Sequence, residues 1–430
     1  MNMTVPDPAK PAAAGPASDP RDTVELFAAA AAHLVEGVAA RHRVIGSGAM
    51  EQRAEGARVQ LSNGRSVLDF GSYAVPLFGH RPQHVLDAVR EALDTMPTST
   101  KLLANPYAAR LSRRLTDAID PGRLTRVWFG LNGSDAVEAA LKLAIARTGT
   151  PAILAVEGGF HGKSMGALAA THDAQRRAPV LGFLGDVRHL PWEPDAVARA
   201  AAEAPFAALI VEPVQGEGGG RFLPPQLLRR WSDDAHAAGA FVIADEIQCG
   251  LRRCGAMSLS VAHGMQPDAV LFGKPLGGGV MPLSAAVCTE ELFAPLRDDP
   301  FFHTATFSGH PVSCAAGLAA LDLLESGPER FDAGGAALAQ GLGALAKKYP
   351  DILVDTRCAG LFGVLEFAAA EQAGLAILEA GRRGLLVAQC LTAPAVLRML
   401  PPAAVTEEQL EQAFDILDTC CLKVQRRTVR

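Results

Sequence analysis

The chain has 430 residues, of which 49% are hydrophobic and 20% are charged, and its formal net charge at pH 7 is −6. This composition is typical of a globular protein with room for two or three domains, and it excludes fibrous and membrane-embedded classes. A slightly negative chain with scattered basic residues also argues against nucleic acid as its main partner.

The first part of the chain predicts a tail followed by short elements. Residues 1–20, rich in Ala, Pro and Asp, are expected to be disordered because they have little to bury. Apolar residues at near-helical spacing predict a helix from Asp22 to Ala40. Alternation on both sides of Asn63-Gly64 predicts a β-hairpin within Gly56 to Phe70, and a helix is expected from about Pro82 to Leu93.

The central part alternates short apolar strands with Ala-rich helices, which indicates an α/β fold with a mostly parallel sheet and helices on both faces. The expected strands, with a helix at Ala136–Ala146 after the first, are Val127–Gly130, Ala152–Val156, Ala207–Val211, Phe241–Ala244 and Ala269–Phe272. Beyond Gly309 the expected elements are a helix at Ser313–Leu324, strands at Gly363–Phe367 and Ala395–Leu400, and a helix from Glu407 to about Leu422. We therefore predict a large domain at 76–308 and a smaller α+β domain built from 21–75 and 309–430.

The cysteines and the N-terminal sequence indicate the cellular compartment. Eight cysteines occur without any Cys-x-x-Cys spacing, so we predict neither a disulfide framework nor a metal site, and we expect reduced thiols. The N-terminus lacks the basic-then-apolar layout of a signal peptide, and no apolar run reaches membrane-spanning length. We expect a cytoplasmic protein without a membrane partner.

Two of the apolar strands lead into charged residues. Asp245 follows the run that begins at Phe241, and Lys274 follows the run that begins at Ala269. Because ligands bind at the carboxyl edge of a parallel sheet, both are candidate site residues. An acid and a lysine held together suit pyridoxal phosphate, since the amine forms a Schiff base with its aldehyde and the carboxylate keeps its ring nitrogen protonated. Taken singly, Asp245 also suits a helix cap and Lys274 a surface charge.

Three further stretches place glycines or carboxylates after apolar strands. Gly133 and Ser134 begin a helix, where free N–H groups and the helix dipole can bind phosphate, although Ser134 or Asp135 could equally be a plain N-cap. Phe160 lies in a glycine-dense turn and could stack on a cofactor ring or be an ordinary core aromatic. Carboxylates in Val211–Gly219 also suit a helix cap or a surface loop.

In this order, the motifs from about residue 45 to 422 resemble the class III aminotransferases of the ornithine and acetylornithine type, which are fold-type I pyridoxal-phosphate enzymes. The resemblance implies pyridoxal 5'-phosphate as cofactor. It implies ping-pong transamination between an amine or ω-amino acid and a keto acid, foremost 2-oxoglutarate. It also implies a homodimer with active sites shared between the subunits.

The resemblance assigns the cofactor contacts. Lys274 forms the Schiff base and moves the substrate proton, Asp245 pairs with the pyridinium nitrogen, and Gln248 contacts the ring hydroxyl. The remaining implied contacts are the phosphate-binding Gly133 and Ser134, Phe160 and His161 in the turn that stacks on the ring, and Thr306, which reaches the phosphate of the neighbouring subunit.

The resemblance also implies where substrate binds. Arg398 matches the arginine that binds a substrate carboxylate, and an arginine in an apolar run is otherwise costly unless it has a structural partner. Glu217 matches the residue that neutralises this arginine when the substrate offers no carboxylate. Tyr73 matches a tyrosine near the substrate, and Lys163 stands where an arginine is frequent and could be a second, weaker anchor.

Three features depart from the family pattern, one of which is a short segment before Arg398. Cys249-Gly-Leu-Arg-Arg-Cys-Gly255 stands where the family commonly has Thr-Gly-Phe-Gly-Arg-Thr-Gly, and His310 replaces a usual asparagine. The substrate stays open between ornithine, another ω-amino acid, a diamine and a specialised biosynthetic aldehyde. An aminomutase or racemase on the same fold is one alternative function, and a non-catalytic cofactor-binding regulatory or structural protein is another.

Overall fold

A computed structural model of the chain describes residues 20–428. The predicted disordered segment 1–20 lies outside the described residues except for Pro20, at which the first helix begins. Within the described range, no helix is both long enough and apolar enough to cross a membrane.

The strands lie in chain order at β1 (Glu51–Glu55), β2 (Arg58–Leu61), β3 (Ser66–Asp69), β4 (Arg126–Gly130), β5 (Ile153–Val156), β6 (Val187–Leu190), β7 (Ala208–Val211), β8 (Val214–Gln215), β9 (Arg221–Phe222), β10 (Phe241–Asp245), β11 (Ala269–Phe272), β12 (Ser284–Cys288), β13 (Leu353–Ala359), β14 (Phe362–Phe367), β15 (Leu385–Leu386), β16 (Ala388–Gln389) and β17 (Val396–Met399).

The α-helices lie at α1 (Pro20–His33), α2 (Glu36–Ile45), α3 (Gln83–Thr95), α4 (Pro106–Ile119), α5 (Gly133–Thr148), α6 (Met165–Ala170), α7 (Ala174–Arg177), α8 (Ala196–Glu203), α9 (Pro225–Ala237), α10 (Leu259–Ala262), α11 (Glu290–Asp298), α12 (Pro311–Glu325), α13 (Pro328–Lys348), α14 (Ala370–Arg383) and α15 (Glu407–Thr428). Short 3₁₀ helices occupy Ala178–Phe183 and Lys274–Gly277.

The largest sheet has seven strands in the order β4-β12-β11-β10-β7-β5-β6. Strands β11, β10, β7, β5 and β6 run parallel, and β12 is antiparallel to both β11 and β4. Strand β4 therefore points the same way as the parallel strands, so the carboxyl ends of six strands meet at one edge. This confirms the prediction of a mostly parallel sheet flanked by helices.

The apolar strands of this sheet are buried because helices cover both faces. In β10, Ile243 packs in the cluster that contains Leu143 of helix α5. Its neighbours Val242 and Ala244 pack in the opposite cluster with Trp231 of helix α9. Successive residues of a strand point to opposite faces, so a continuous apolar run is what a strand covered on both faces requires.

Two smaller four-stranded sheets combine both ends of the chain. One has the order β1-β2-β3-β15, and the other has the order β13-β14-β17-β16. The hairpin predicted around Asn63-Gly64 is present as β2 and β3, with Gly64 at φ 80° in the turn. Strand β3 pairs in parallel with β15, where Leu68 faces Leu385. Strand β1, which the sequence did not predict, extends the hairpin, and the domain boundaries stay predictions.

The single helix predicted over Asp22 to Ala40 is wrong, because the chain forms α1 and α2 with a break between them. Val35 is extended, at φ −92° and ψ 104°, and stands at the N-cap position of α2. His33 lies in the last turn of α1 and Glu36 in the first turn of α2. The acidic Glu36 suits the N-terminal end of the α2 dipole, which favours a new helix start after the extended Val35.

Arg253 connects three distant parts of the chain. Its side chain is fully buried, and it donates to the carbonyl oxygens of Leu361 (3.1 Å), Pro401 (2.6 Å) and Ala74 (3.3 Å). Burial lowers the pKa of its guanidinium to about 10, so the group is still charged at neutral pH. One side chain of the Cys249–Gly255 segment thus joins the stretches that precede α3 and follow β17.

We expect Arg253→Met to lower the free energy of unfolding by on the order of 3–5 kcal/mol, because a buried carbonyl left without a donor costs about 1–3 kcal/mol. Urea unfolding of the cofactor-free protein measures the change. The matched control is Arg229→Met, since exposed Arg229 donates to one carbonyl, that of His263, at 2.7 Å. Equal losses in the two variants would contradict the role of Arg253.

Candidate active site

A cavity of about 200 Å³ lies at the carboxyl edge of the seven-stranded sheet. It is lined by residues that follow β4, β5, β7, β10 and β11, namely Asn132, Gly133, Ser134, Phe160, His161, Gly162, Glu212, Glu217, Asp245, Ile247, Gln248 and Lys274. Eight residues predicted from the sequence are among them. The fold therefore gathers side chains that are far apart in the chain.

Asp245 is the last residue of β10 and is held in one orientation. Its Oδ2 lies 2.8 Å from Nδ1 of His161, and its Oδ1 accepts from the backbone N–H of Ile247 at 3.1 Å. Asp245 and His161 are both buried. His161, predicted as part of a stacking turn, thus also fixes the carboxylate that the sequence singled out.

Lys274 enters the cavity from a strained backbone. It follows β11 by two residues and has φ 41°, in the left-handed region that disfavours side chains. Burial lowers the pKa of its amine, although the charges of Asp245 and Glu217 act in the opposite direction. A lowered pKa increases the fraction of neutral amine, which is the form that acts as nucleophile or base.

Glu212 is one of four residues of the cavity that were not predicted from the sequence, and it is the only ionisable one among them. It directly follows β7, is buried, and accepts a hydrogen bond from the backbone N–H of Phe160 at 2.7 Å. Burial, and next the charge of Asp245, raise the pKa of its carboxyl well above the usual glutamate value. The available signal was a carboxylate after an apolar strand, which a helix cap produces as well.

The N-terminus of α5 forms one end of the cavity. Asn132 is the N-cap: its side chain accepts from the backbone N–H of Asp135, whose carboxylate in turn accepts from the N–H of Asn132 at 3.1 Å. The alternative in which Ser134 or Asp135 is the N-cap is therefore wrong. Gly133 and Ser134 are the first helical residues, where N–H groups lack partners within the helix and the dipole favours an anion.

Arg398 lies on β17, in the sheet β13-β14-β17-β16, and its side chain contacts two residues of this cavity. Its buried guanidinium donates through Nη1 to Oε1 of Glu217 at 2.7 Å and to Oε1 of Gln248 at 3.2 Å. The half-exposed ring of Tyr73 lies 5.9 Å from the guanidinium carbon. Four residues predicted for cofactor or substrate contact thus form one cluster, in which the arginine charge is neutralised by a buried carboxylate.

Two predicted site residues lie away from this cavity. Lys163 is exposed and does not line it. Thr306 is exposed on a surface segment with His303 and borders a separate cavity of about 590 Å³. A single subunit therefore does not bring Thr306 to Ser134, and the predicted roles of Thr306 and Lys163 stay predictions.

The residues of the cavity fit pyridoxal phosphate. Among residues 20–428, Nε2 of His161 and Nε2 of Gln248 are buried without a hydrogen-bond partner, so polar atoms remain for a ligand. A Cβ on Gly133 would lie 2.9 Å from Ile247, so a larger residue would close the helix end. An amine, a carboxylate and a helix N-terminus in one cavity match the cofactor's aldehyde, ring nitrogen and phosphate.

Comparison with known proteins gives a family match, one similar relative and two similar solved structures. Residues 40–421 match the family described as Aminotransferase class-III. A putrescine aminotransferase from Pectobacterium atrosepticum is 37% identical over 387 residues, which are 86% of this chain and 82% of the relative. An ornithine aminotransferase structure from Toxoplasma gondii matches with TM-score 0.81 and 24% identity, covering 89% of this chain and 92% of its own. A transaminase structure from the marine bacterium Virgibacillus matches with TM-score 0.85 and 22% identity, covering 94% of this chain and 100% of its own.

The raised pKa of Glu212 predicts a pH dependence of stability. The folded state holds this proton more tightly than the unfolded state, so the stabilisation is complete below the ordinary glutamate pKa and is lost as pH rises through the raised value. Glu212→Gln keeps an acceptor for Phe160 and removes the ionisation. Its melting temperature without cofactor should therefore rise relative to wild type as the pH is raised above the ordinary glutamate pKa.

Thermal denaturation at several pH values measures this difference. The control is Glu203→Gln, because Glu203 is exposed at the end of α8. A difference between Glu212→Gln and wild type that stays constant with pH would contradict the buried, protonated carboxyl.

Proposed function

Because the chain belongs to the class III aminotransferases, we propose that this site transfers an amino group from a diamine such as putrescine to 2-oxoglutarate. The chain is a pyridoxal-phosphate-dependent transaminase, and its substrates are an amine or amino acid and a keto acid. The choice of a diamine, and of 2-oxoglutarate as acceptor, is the proposal. The name of the 37% identical relative supports the donor.

The observation that carries the proposal is the buried pair of Arg398 and Glu217. Nη1 of Arg398 and Oε1 of Glu217 are 2.7 Å apart, and both side chains are almost fully buried. A buried unpaired guanidinium costs several kcal/mol, so the arginine needs a counter-charge whenever the substrate lacks a carboxylate. Glu217 supplies this charge for a diamine, and a carboxylate of 2-oxoglutarate would take its place on Arg398.

The other residues of the cavity supply proton transfer and orientation. Pyridoxal phosphate, when bound, supplies an aldehyde that carries the amino group and a ring that withdraws electrons from the reacting carbon. Lys274 would take the proton from this carbon and return it, for which a lowered amine pKa is favourable. Asp245, held by His161, would keep the ring nitrogen protonated, while Phe160 would contact the ring face.

The phosphate end of the site suggests that two subunits cooperate. Gly133 and Ser134 offer backbone N–H groups, and the lining of the cavity around them contains no arginine. We propose a homodimer in which Thr306 of one subunit contacts the phosphate bound by the other. Exposed apolar side chains near Thr306 support an interface. Phe301, which is 85% exposed, borders the same cavity as Thr306, and Leu102, next to Lys101 of that cavity, is 90% exposed.

We also propose a cytoplasmic location. All eight cysteines are free thiols, and seven of them are buried. This pattern suits a reducing compartment, because secreted proteins generally pair their cysteines.

A half-reaction panel tests the function. Putrescine should bleach the visible absorbance of the cofactor-loaded protein, and 2-oxoglutarate should restore it with one glutamate formed per amino group transferred. Lys274→Ala should reduce turnover by at least about 10⁴-fold, because the protein loses its nucleophile and base. Conversion of a substrate without consumption of any keto acid would instead indicate an aminomutase or racemase. Undiminished transamination by Lys274→Ala would contradict the mechanism.

Two substitutions at the Arg398 pair should act in opposite directions. Arg398→Ala should lower kcat/KM for 2-oxoglutarate by about 10- to 100-fold, since it removes charged hydrogen bonds to the carboxylate, and it should affect putrescine less. Glu217→Gln should lower kcat/KM for putrescine, because Arg398 then lacks its counter-charge. The kcat/KM for 2-oxoglutarate should stay the same or rise. Steady-state kinetics of each half-reaction measures both. Equal losses for the two substrates in both variants would show that the pair is structural.

A further inference from the structure

The loop that carries Glu217 is fixed by its own packing. Residues 216–220, here called the Glu217 loop, join β8 to β9. A Cβ on Gly216 would lie 1.3 Å from Oε1 of Gln248, and a Cβ on Gly218 would lie 2.1 Å from the carbonyl oxygen of Gly158. Because Gly218 packs against backbone, only glycine fits there, whereas a larger residue at position 216 would displace the side chain of Gln248.

Arg357 holds one end of the Glu217 loop. From β13 it donates through Nη2 to the carbonyl of Gly219 at 2.7 Å and through Nε to that of Gly220 at 3.2 Å. Glu366 accepts from Nη1 of Arg357 at 2.7 Å and orients the guanidinium. The sheet β13-β14-β17-β16 thus contains both Arg357, which holds the loop, and Arg398.

A turn at residues 390–392 holds the middle of the loop. The backbone N–H of Thr392 donates to the carbonyl oxygen of Glu217 at 3.2 Å, and its hydroxyl donates to the same oxygen at 2.9 Å. The backbone N–H of Leu391 donates to Oε2 of Glu217 at 3.0 Å. The thiol of Cys390 donates to the carbonyl of Gly216 at 3.3 Å.

These contacts hold the backbone of Glu217 separately from its side-chain carboxylate. The backbone is held by Thr392, whereas the carboxylate joins Arg398 through Oε1 and Leu391 through Oε2. If a substrate carboxylate displaces Glu217 from Arg398, the side chain can rotate while its backbone stays in place. The position of that backbone then determines how readily the carboxylate returns.

We propose that Thr392 is a positioning residue for substrate selection: its hydroxyl holds the backbone of Glu217 where the carboxylate pairs best with Arg398. The inference rests on the proposed function of the Glu217–Arg398 pair. Thr392 borders a surface cleft on the outer side of the loop together with Gly218, and it is absent from the lining of the active-site cavity. Because its hydroxyl donates to the carbonyl oxygen of Glu217, Thr392 acts in this proposal through Glu217.

Thr392→Val removes the hydroxyl and keeps the shape of the side chain. Loss of one hydrogen bond weakens the paired state of Glu217 and so favours ligands that compete for Arg398. The ratio of kcat/KM for putrescine to kcat/KM for 2-oxoglutarate should fall by about two- to tenfold. Glutarate, a dicarboxylate that cannot react, should bind about two- to tenfold more tightly to the cofactor-loaded variant, as followed by its effect on the cofactor absorbance.

Two further variants separate positioning from general damage. Thr392→Ser retains the hydroxyl and should restore the wild-type ratio and glutarate affinity. Thr419→Val removes a hydroxyl that donates to the carbonyl of Asp415 at 3.0 Å on α15, away from the active site, and it should leave the ratio and the glutarate affinity unchanged. Melting temperatures of all variants identify any loss of folding.

Equal loss of both half-reactions in Thr392→Val, with unchanged glutarate affinity, would overturn the proposal. Failure of putrescine to react with the wild-type enzyme would contradict the proposed donor. Even then, glutarate affinity decides the role of Thr392, because that measurement depends on Arg398 and not on the identity of the amine.

Discussion

The site depends on the common direction of the strands in the seven-stranded sheet. Because β12 is antiparallel to both of its neighbours, β4 ends at the same edge as β11, β10, β7 and β5. That edge collects a helix N-terminus, an aromatic turn, two carboxylates and a lysine from segments spread over about 140 residues, since Gly133 and Lys274 line the same cavity. Reversal of one of these strands would remove its contribution from the site.

Collecting charges at a buried edge is electrostatically costly, and the structure offsets this cost in distinct ways. Asp245 is bonded to His161 and to a backbone N–H, whereas Glu212 has a raised carboxyl pKa. Arg398 is neutralised by Glu217. We propose that the third arrangement exchanges, because a substrate carboxylate would take the place of the Glu217 carboxylate on Arg398.

The sequence predicted the parts of the site that local patterns encode. Apolar runs that end in Asp245 or near Lys274 indicate strand ends, and strand ends of a parallel sheet lie together. The pairing of Arg398 with Glu217 spans 181 residues, so only resemblance to a family suggested it. Glu212 was missed because a carboxylate after a strand has ordinary alternatives. The break at Val35 was missed because apolar spacing continues across it and helix-end charges are weak signals.

We propose that one cavity accepts both a diamine and a dicarboxylate because Glu217 exchanges with substrate on Arg398. A crystal structure of the cofactor-loaded protein with glutarate tests this most directly. We predict that a glutarate carboxylate contacts the guanidinium of Arg398 and that the Glu217 carboxylate has moved away, while its backbone still accepts from Thr392. Glutarate bound elsewhere, with Nη1 of Arg398 still 2.7 Å from Oε1 of Glu217, would contradict the account.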